Sequence, residues 1–406
     1  MTRPVTTLPV GRTDLGLART VSRALRHAMD GTGPAIAPVE PDGPSPDLPV
    51  SRGVPDDVAL VVRTSGSTGQ PRGVMLAAAA LQASAAATHA RLGGPGRWVL
   101  ALPLTHVAGL QVLLRAAAAG VEPLVVPAGA GFSPADLATV VAGAPSDLPL
   151  YTSLVPTQLH RVLEPTADPS WVGALRRVDA LLLGGAAAPP ALLRAAADAG
   201  LRVVTTYGMT ETCGGCVYDG HPLDGVRVAV DPQGRIVLAG PVLAQGYLGR
   251  PDLDAEAFHL DESTGARWLR TQDLGSLDGG RLTVLGRVDE VIITGGVNVA
   301  PAPVEAALAA LPGVGQVCVV GVPDTRWGQA LTAVVVVAPG SVPPDLGDAR
   351  AAVTRTLGGA AAPRHVVVVG SLPERGPGKV DRAAVAVLAA RALDRTPWTE
   401  TDGHPR

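Results

Sequence analysis

The sequence predicts an α/β protein: a large N-terminal domain of parallel βαβ sheets with a small β subdomain, followed by a small α+β domain. Three observations lead there. From Val58 onward, short β-branched runs alternate with Ala/Leu-rich helical runs. From Val217 to Leu285 the helical runs stop, and short strands with tight turns take over. After Asp289 a third pattern mixes apolar strands with helical stretches.

The elements follow in order. Residues 30 to 57 are rich in Pro, Gly and Asp and read as a loop or surface crossing. The alternation opens with a strand at Val58–Val62 and a helix over Leu76–Leu92. It continues through Trp98–Leu102 and Val107–Ala119, then Pro123–Val126 and Pro134–Val141. Leu150–Ser153, Pro156–Leu163, Val178–Leu183, Pro189–Ala199 and Arg202–Thr205 complete a βαβ core over 58–210. Pro134, Pro156 and Pro189 fall near helix starts, where a missing N–H costs little. In 217–285, VRVAVDPQGRIVLAG and RLTVLG supply strands. Beyond come VIITGG, a helix over Val304–Leu311, QVCVVGV, LTAVVVVAP, a helix near Asp348–Leu357, HVVVVG and a helix from Asp381. The expected domains are therefore 1–288 and 289–395, with 396–406 as a tail.

Composition narrows the function. Lys+Arg number 33 and Asp+Glu 36 in 406 residues, a net charge of −3. A nucleic-acid or anionic-membrane binder needs a basic face, which this balance does not supply. Aromatics at 3% leave no base-stacking platform, while 47% hydrophobic residues can bury sizeable cores. Three cysteines cannot staple a chain of this length, and Cys213 and Cys216 alone lack the four ligands of a zinc site. MTRPVTTLPVGRTDLG has no apolar core of signal-peptide length. Val99–Phe132, the most apolar long window, is broken by His106, Arg115, Glu122 and three prolines. The expectation is a cytoplasmic protein with small-molecule partners, no nucleic acid and no membrane span. Assembly into a homo-oligomer is left open.

Five stretches carry chemistry. Thr64-Ser-Gly-Ser-Thr-Gly-Gln-Pro-Arg-Gly73 follows a strand and precedes the expected helix. Gly66, Gly69 and Gly73 let backbone N–H groups approach an anion. Thr64, Ser65, Ser67 and Thr68 add hydroxyls, and Arg72 adds charge. This is a phosphate-gripping loop without the Gly-Lys-Ser/Thr of a Walker A loop. Thr206-Tyr-Gly-Met-Thr-Glu-Thr212 lies at a strand's carboxyl end, where open α/β sheets bind ligands. The others are Asp273 in RTQDLG, Gly286-Arg-Val-Asp-Glu-Val-Ile-Ile-Thr-Gly-Gly296, and Lys379 in PERGPGKVDR. Taken singly, Tyr207 reads as half-buried packing, Asp273 as a turn carboxylate and Lys379 as a solvated charge.

Together and in this order, the five stretches resemble the adenylate-forming superfamily of acyl-CoA synthetases, peptide-synthetase adenylation domains and luciferases, from about Val58 to Arg382. Within it, LPLTHVAGL (102–110), SLVPTQL (153–159) with Arg161, LGGAA (183–187) and YGMTETCGG (207–215) resemble the o-succinylbenzoate–CoA ligases of menaquinone biosynthesis. The resemblance implies the adenylate-forming fold with a mobile C-terminal domain, and ATP, Mg²⁺ and CoA as cofactor and co-substrates. It implies that Thr64, Ser65, Gly66, Ser67, Thr68, Gly69 and Arg72 grip the β/γ-phosphates, that Gly184, Gly185 and Ala186 line the adenine site, and that Tyr207 stacks on the base. Thr210 would contact the α-phosphate, Glu211 hold Mg²⁺, and Asp273 bind the ribose with Arg287 nearby. Asp289 matches the hinge and Lys379 the catalytic lysine that bridges substrate carboxylate and α-phosphate. The implied reaction forms an acyl adenylate, which CoA thiolate then attacks. Alternatives are another aryl or acyl acid–CoA ligase, or a stand-alone adenylation module loading a carrier protein. Arg72 stands where the family usually has Lys, and Gln272 where it usually has Gly.

The substrate so implied carries a second, aromatic carboxylate. His106 and Arg115 are the favoured residues for it, with Gly208 beside the acyl group. They lie nine residues apart, about 900° on an ideal helix, half a turn out of phase. Both can face one pocket only if the helix begins after His106 or kinks.

Overall fold

The computed structural model describes residues 2–41, 53–64, 72–128, 131–164, 167–374 and 380–394. It divides into two compact units: Met1–Ala188 with Leu192–Val284, and Pro189–Ala191 with Leu285–Arg406.

The first unit is built on a seven-stranded sheet. Its spatial order is His221–Pro222, Gly214–Tyr218, Val203–Met209, Ala180–Leu183, Leu150–Leu154, Arg97–Leu100 and Leu124–Val125. The five from Leu124–Val125 to Val203–Met209 are parallel, and the other two are antiparallel. Leu150–Leu154 and Ala180–Leu183 are buried along their whole length, as parallel strands covered by helices on both faces are. Those helices include Val107–Ala118, Pro134–Ala142 and Pro156–Val162, the last two with proline in the first turn.

A second sheet orders Gly246–Tyr247, Arg72–Ala77, Val58–Thr64, Ala35–Val39 and Val5–Pro9. It corrects two expectations. The helix expected from Leu76 begins at Ala78, because Arg72–Ala77 is a strand antiparallel to Val58–Thr64. The phosphate-type loop therefore joins two antiparallel strands, with Thr64 directly opposite Arg72, rather than a strand and a helix. Gly-Val-Met-Leu is a short apolar run that periodicity cannot assign, and pairing with the neighbouring strand decides it. Within residues 30–57, expected as loop, Ala35–Val39 is a strand parallel to Val5–Pro9. The preceding helix Leu15–Met29 is capped by Asp14, whose carboxylate accepts from Leu17 N at 2.7 Å. It buries Ala18, Val21, Leu25 and Ala28 at helical spacing.

A small antiparallel sheet orders Arg227–Val230, Arg235–Ala239, Ala266–Asp278 and Phe258–Asp261. The helix Pro251–Ala257 interrupts this region, which was expected to be helix-free. It has Pro in the first turn and Asp252 and Asp254 beside the N-terminal dipole, but no buried residue, so it left no apolar period to read.

The second unit holds a sheet of Val297–Val299, Ile292–Thr294, Gly328–Val337 and Val314–Asp324, with His365–Val369 parallel to Gly328–Val337. Leu331, Ala333 and Val335 pack in one cluster with Val304, Leu308 and Val353. Val334 packs in another with Cys318, Val320, Val385 and Ala389. The alternation puts a core on each face of one strand. Among the described residues, no helix is long and apolar enough to cross a membrane.

The helix Val107–Ala118 starts in close contact with the turn before it. A Cβ on Gly109 would lie 2.3 Å from the Pro103 carbonyl oxygen and 3.0 Å from that of Leu102. Gly109→Ala is expected to cost about 1–3 kcal/mol of folding stability, read as a lower urea midpoint at unchanged slope. An unchanged midpoint would contradict this packing.

Candidate active site

The site is built at the carboxyl ends of two adjacent parallel strands, Ala180–Leu183 and Val203–Met209. Their approach admits only glycine at key points. A Cβ on Gly184 would lie 2.2 Å from Thr206 Oγ1, and one on Gly208 2.1 Å from the Gly214 carbonyl oxygen. Gly185 has φ +83°, and Gly185 and Ala186 are exposed just beyond the strand end.

From this frame Tyr207 reaches across to Asp273, and its hydroxyl donates to Oδ2 at 2.8 Å. Burial and then the Asp273 charge push the phenol well above its usual range, so it stays a donor. Thr210 and Glu211 open a one-turn 3₁₀ helix, Thr210–Thr212, braced by Thr212 Oγ1 between Met209 N and the Gly214 carbonyl. Burial raises the Glu211 carboxyl above the ordinary carboxylate range. The Tyr247 hydroxyl donates to Glu211 Oε1 at 2.9 Å, and the Arg72 guanidinium lies 5.7 Å from the Tyr247 ring centroid. Arg72 also leaves the far end of the phosphate-type loop, so loop exit and Glu211 share one cluster. Tyr207, Gly208, Thr210, Glu211, Asp273 and Arg72 thus belong to one region of the first unit. Ser65, Gly66, Ser67, Thr68 and Gly69 lie outside the described residues, as does Lys379; Thr64, at the loop's near end, is half-buried.

His106 and Arg115 are not brought together. The helix does begin after His106, which is its N-cap, exposed, with Nδ1 2.9 Å from Thr105 Oγ1. Arg115 lies about 13 Å further along the axis and only 3% exposed. Its guanidinium sits 4.9 Å from the Trp98 ring centroid and donates to the Tyr218 hydroxyl at 3.5 Å. No carboxylate pairs with it among the described residues, and its Nε has no hydrogen-bond partner there. One turn earlier on the same face, Gln111 is fully buried. Its Nε2 donates to the Cys213 carbonyl at 2.9 Å, and its Oε1 is likewise unpartnered among the described residues.

Gln111 and Tyr247 are contributors that sequence reading missed. Tyr247 is one of four tyrosines in the chain, and an aromatic in a Gly-Tyr-Leu-Gly turn was the available signal. Arg287 lies in the second unit and forms a two-point contact with Asp289, at 2.8 and 3.1 Å. Asp289 itself sits in the turn Val288–Glu290. Burial pushes the Cys216 thiol up to about 12 and that of Cys213 further. Among the described residues no group of three His, Cys, Asp or Glu side chains could hold a metal ion.

A Ser/Thr/Gly-rich segment between two strands, a Tyr207–Asp273 hydrogen bond and a half-buried carboxylate at the strand ends fit a nucleotide-handling enzyme. The family model for AMP-binding enzyme matches residues 18–248, and that for the AMP-binding enzyme C-terminal domain matches 303–379. The chain belongs to the AMP-binding enzymes. It is 50% identical over 379 residues to a Mycobacterium tuberculosis protein named "Probable 2-succinylbenzoate--CoA ligase", covering 92% of this chain and 96% of that one. It is 35% identical over 376 residues to the feruloyl-CoA synthase of an Amycolatopsis species, covering 85% and 72%. The solved structure of E. coli MenE with bound OSB-AMS superposes with a TM-score of 0.72 at 26% identity, covering 96% of this chain and 88% of that one.

Gly208→Ala tests the site's frame. The collision with the Gly214 carbonyl must open the pairing of Val203–Met209 with Gly214–Tyr218 and move Tyr207 off Asp273. ATP affinity by calorimetry is expected to fall at least about tenfold. Wild-type affinity would show that the close approach does not position the site.

Proposed function

We propose that this chain is an ATP-dependent acid–thiol ligase that joins 2-succinylbenzoate to CoA through an acyl adenylate, releasing pyrophosphate and then AMP. One observation carries the choice of acid. Arg115 is a guanidinium buried against Trp98 and Tyr218 of the first unit, without a carboxylate among the described residues. A buried cation is costly unless an anion meets it. A substrate with two carboxylates can present one to the reaction and the other to Arg115. Gln111, one turn away with an open acceptor, suits the same polar end of the acid.

The remaining roles are those the motif resemblance implies, and the chemistry fits them. Carboxylate attack on the α-phosphorus brings two anions together and builds charge on the phosphoryl oxygens. Lys379 bridges the attacking carboxylate and the α-phosphate, and Thr210 donates to the same phosphate. Tyr207 covers the adenine while its hydroxyl donates to Asp273, the carboxylate that meets the ribose hydroxyls. The segment from Thr64 to Arg72 grips the outer phosphates. Glu211 fits a Mg²⁺ site: a lone half-buried carboxylate suits an ion that takes one or two protein ligands and fills its shell with phosphate and water. When bound, that ion neutralises phosphate charge. Tyr247 aims the Glu211 carboxylate. His106, at the exposed start of its helix, forms a wall of the acyl site rather than a partner of Arg115. Residues 1–288 and 289–395 act as the two domains, and Asp289 is the hinge between adenylation and thiol attack. Buried unpaired thiols at Cys213, Cys216 and Cys318 accord with the cytoplasm.

A cycle of enzyme against substrate tests this reading. Arg115→Ala removes the partner of a buried anion, which costs about 3–5 kcal/mol, or two to four decades in kcat/KM for the acid. KM for ATP should hardly move. An analogue with hydrogen in place of the ring carboxylate should be poor with wild type and lose far less on mutation. Additive effects would mean that Arg115 does not read that group, and preference for the analogue would favour a general aryl acid–CoA ligase.

A further inference from the structure

Arg382 opens the helix Arg382–Asp394, three residues after Lys379. Its Nη1 and Nη2 donate to Glu305 Oε1 and Oε2 at 2.6 and 2.9 Å. Its Nε lies 3.1 Å from Glu290 Oε2. Nη1 also donates to the Val319 carbonyl at 3.1 Å, and Glu305 Oε1 accepts from Val319 N at 2.7 Å. Just ahead, Asp381 N donates to the Pro373 carbonyl at 2.8 Å, and Glu374 bridges Val380. One planar guanidinium thus ties four parts of the second unit: the turn Val288–Glu290, the helix Pro301–Ala309, the strand Val314–Asp324 and the chain leaving Lys379.

Helix-to-strand packing needs only the two-pronged contact with Glu305. The Glu290 contact does something else: it links the residue next to Asp289 to the chain next to Lys379. We propose that Arg382, through Glu290, is a positioning residue that sets the place of Lys379 by the turn at Asp289. The inference rests on the roles given above to Lys379 and Asp289. Arginine's planar fork holds Glu305 with two prongs and Glu290 with Nε at once; a lysine ammonium, a compact point charge, cannot reproduce that geometry.

The test measures two half-reactions in the full chain: acid-dependent pyrophosphate release, and thioester formation from supplied acyl adenylate. The variants are Arg382→Lys, Glu290→Gln, Lys379→Ala and Glu290→Gln combined with Lys379→Ala, each with a thermal unfolding midpoint. Glu290→Gln is the milder change and covers the case in which Arg382→Lys fails to fold. For both positioning variants, kcat of the first half-reaction should fall about 10- to 100-fold with KM for ATP and acid little changed. Thioester formation should be kept, and Glu290→Gln should cost nothing further once Lys379 is alanine. Equal loss in both half-reactions, additive loss in the double variant, or no loss at all would overturn the proposal. If Lys379→Ala itself leaves pyrophosphate release intact, the role of Lys379 fails, and the proposal falls with it.

Discussion

A guanidinium held at 3% exposure, with no carboxylate beside it among the described residues, is the constraint around which the first unit is arranged. Removing such a charge from water costs several kcal/mol. Part of that is offset locally: the Trp98 face attracts the cation, and the Tyr218 hydroxyl accepts from it. Those partners are fixed in turn, Trp98 by donating to His89 Nε2 at 3.1 Å and Tyr218 by sharing a hydrogen bond with Thr88. Burial, then the nearby Arg115 charge, lowers the His89 pKa and favours the neutral ring that can accept from Trp98. Two helices and two strands are thereby committed to holding one cation. A function that supplies an anion accounts for this arrangement; a purely structural core would do better with an apolar side chain.

The nucleotide end follows a different logic, that of close backbone approach. Gly184 and Gly208 let neighbouring chains come within distances that any Cβ would block. Tyr207 and Asp273, far apart in sequence, meet as a result at 2.8 Å. The same economy recurs at Glu211, where the Tyr247 hydroxyl and Arg72 stand close to one carboxylate.

Much of this was legible in the sequence, and the exceptions have identifiable causes. The parallel strands were readable because continuous apolar runs such as Ala180–Leu183 are what double-sided burial demands. Leu76 and Ala77 were read as the start of the helix because their apolar run continues into an alanine-rich segment, and only pairing with Val58–Thr64 assigns them to the strand Arg72–Ala77. Pro251–Ala257 was invisible because it buries nothing. Tyr207, Glu211 and Asp273 were singled out by motif and order, and the structure pairs Tyr207 with Asp273. Tyr247 was not, since its contact with Glu211 spans 36 residues and neither residue type announces the other. Gln111 and Arg115 shared a helix face all along, but the sequence reading set Arg115 against His106. Helical phase alone favoured the i, i+4 pair.

The central claim is that this enzyme activates an aromatic acid bearing a second carboxylate and passes it to CoA. Acid-dependent pyrophosphate release, measured without CoA across 2-succinylbenzoate, benzoate, ferulate and a fatty acid, tests it most directly. Release is expected with 2-succinylbenzoate far above the rest, and thioester should appear only when CoA is added. Faster release with ferulate, benzoate or the fatty acid would contradict the account.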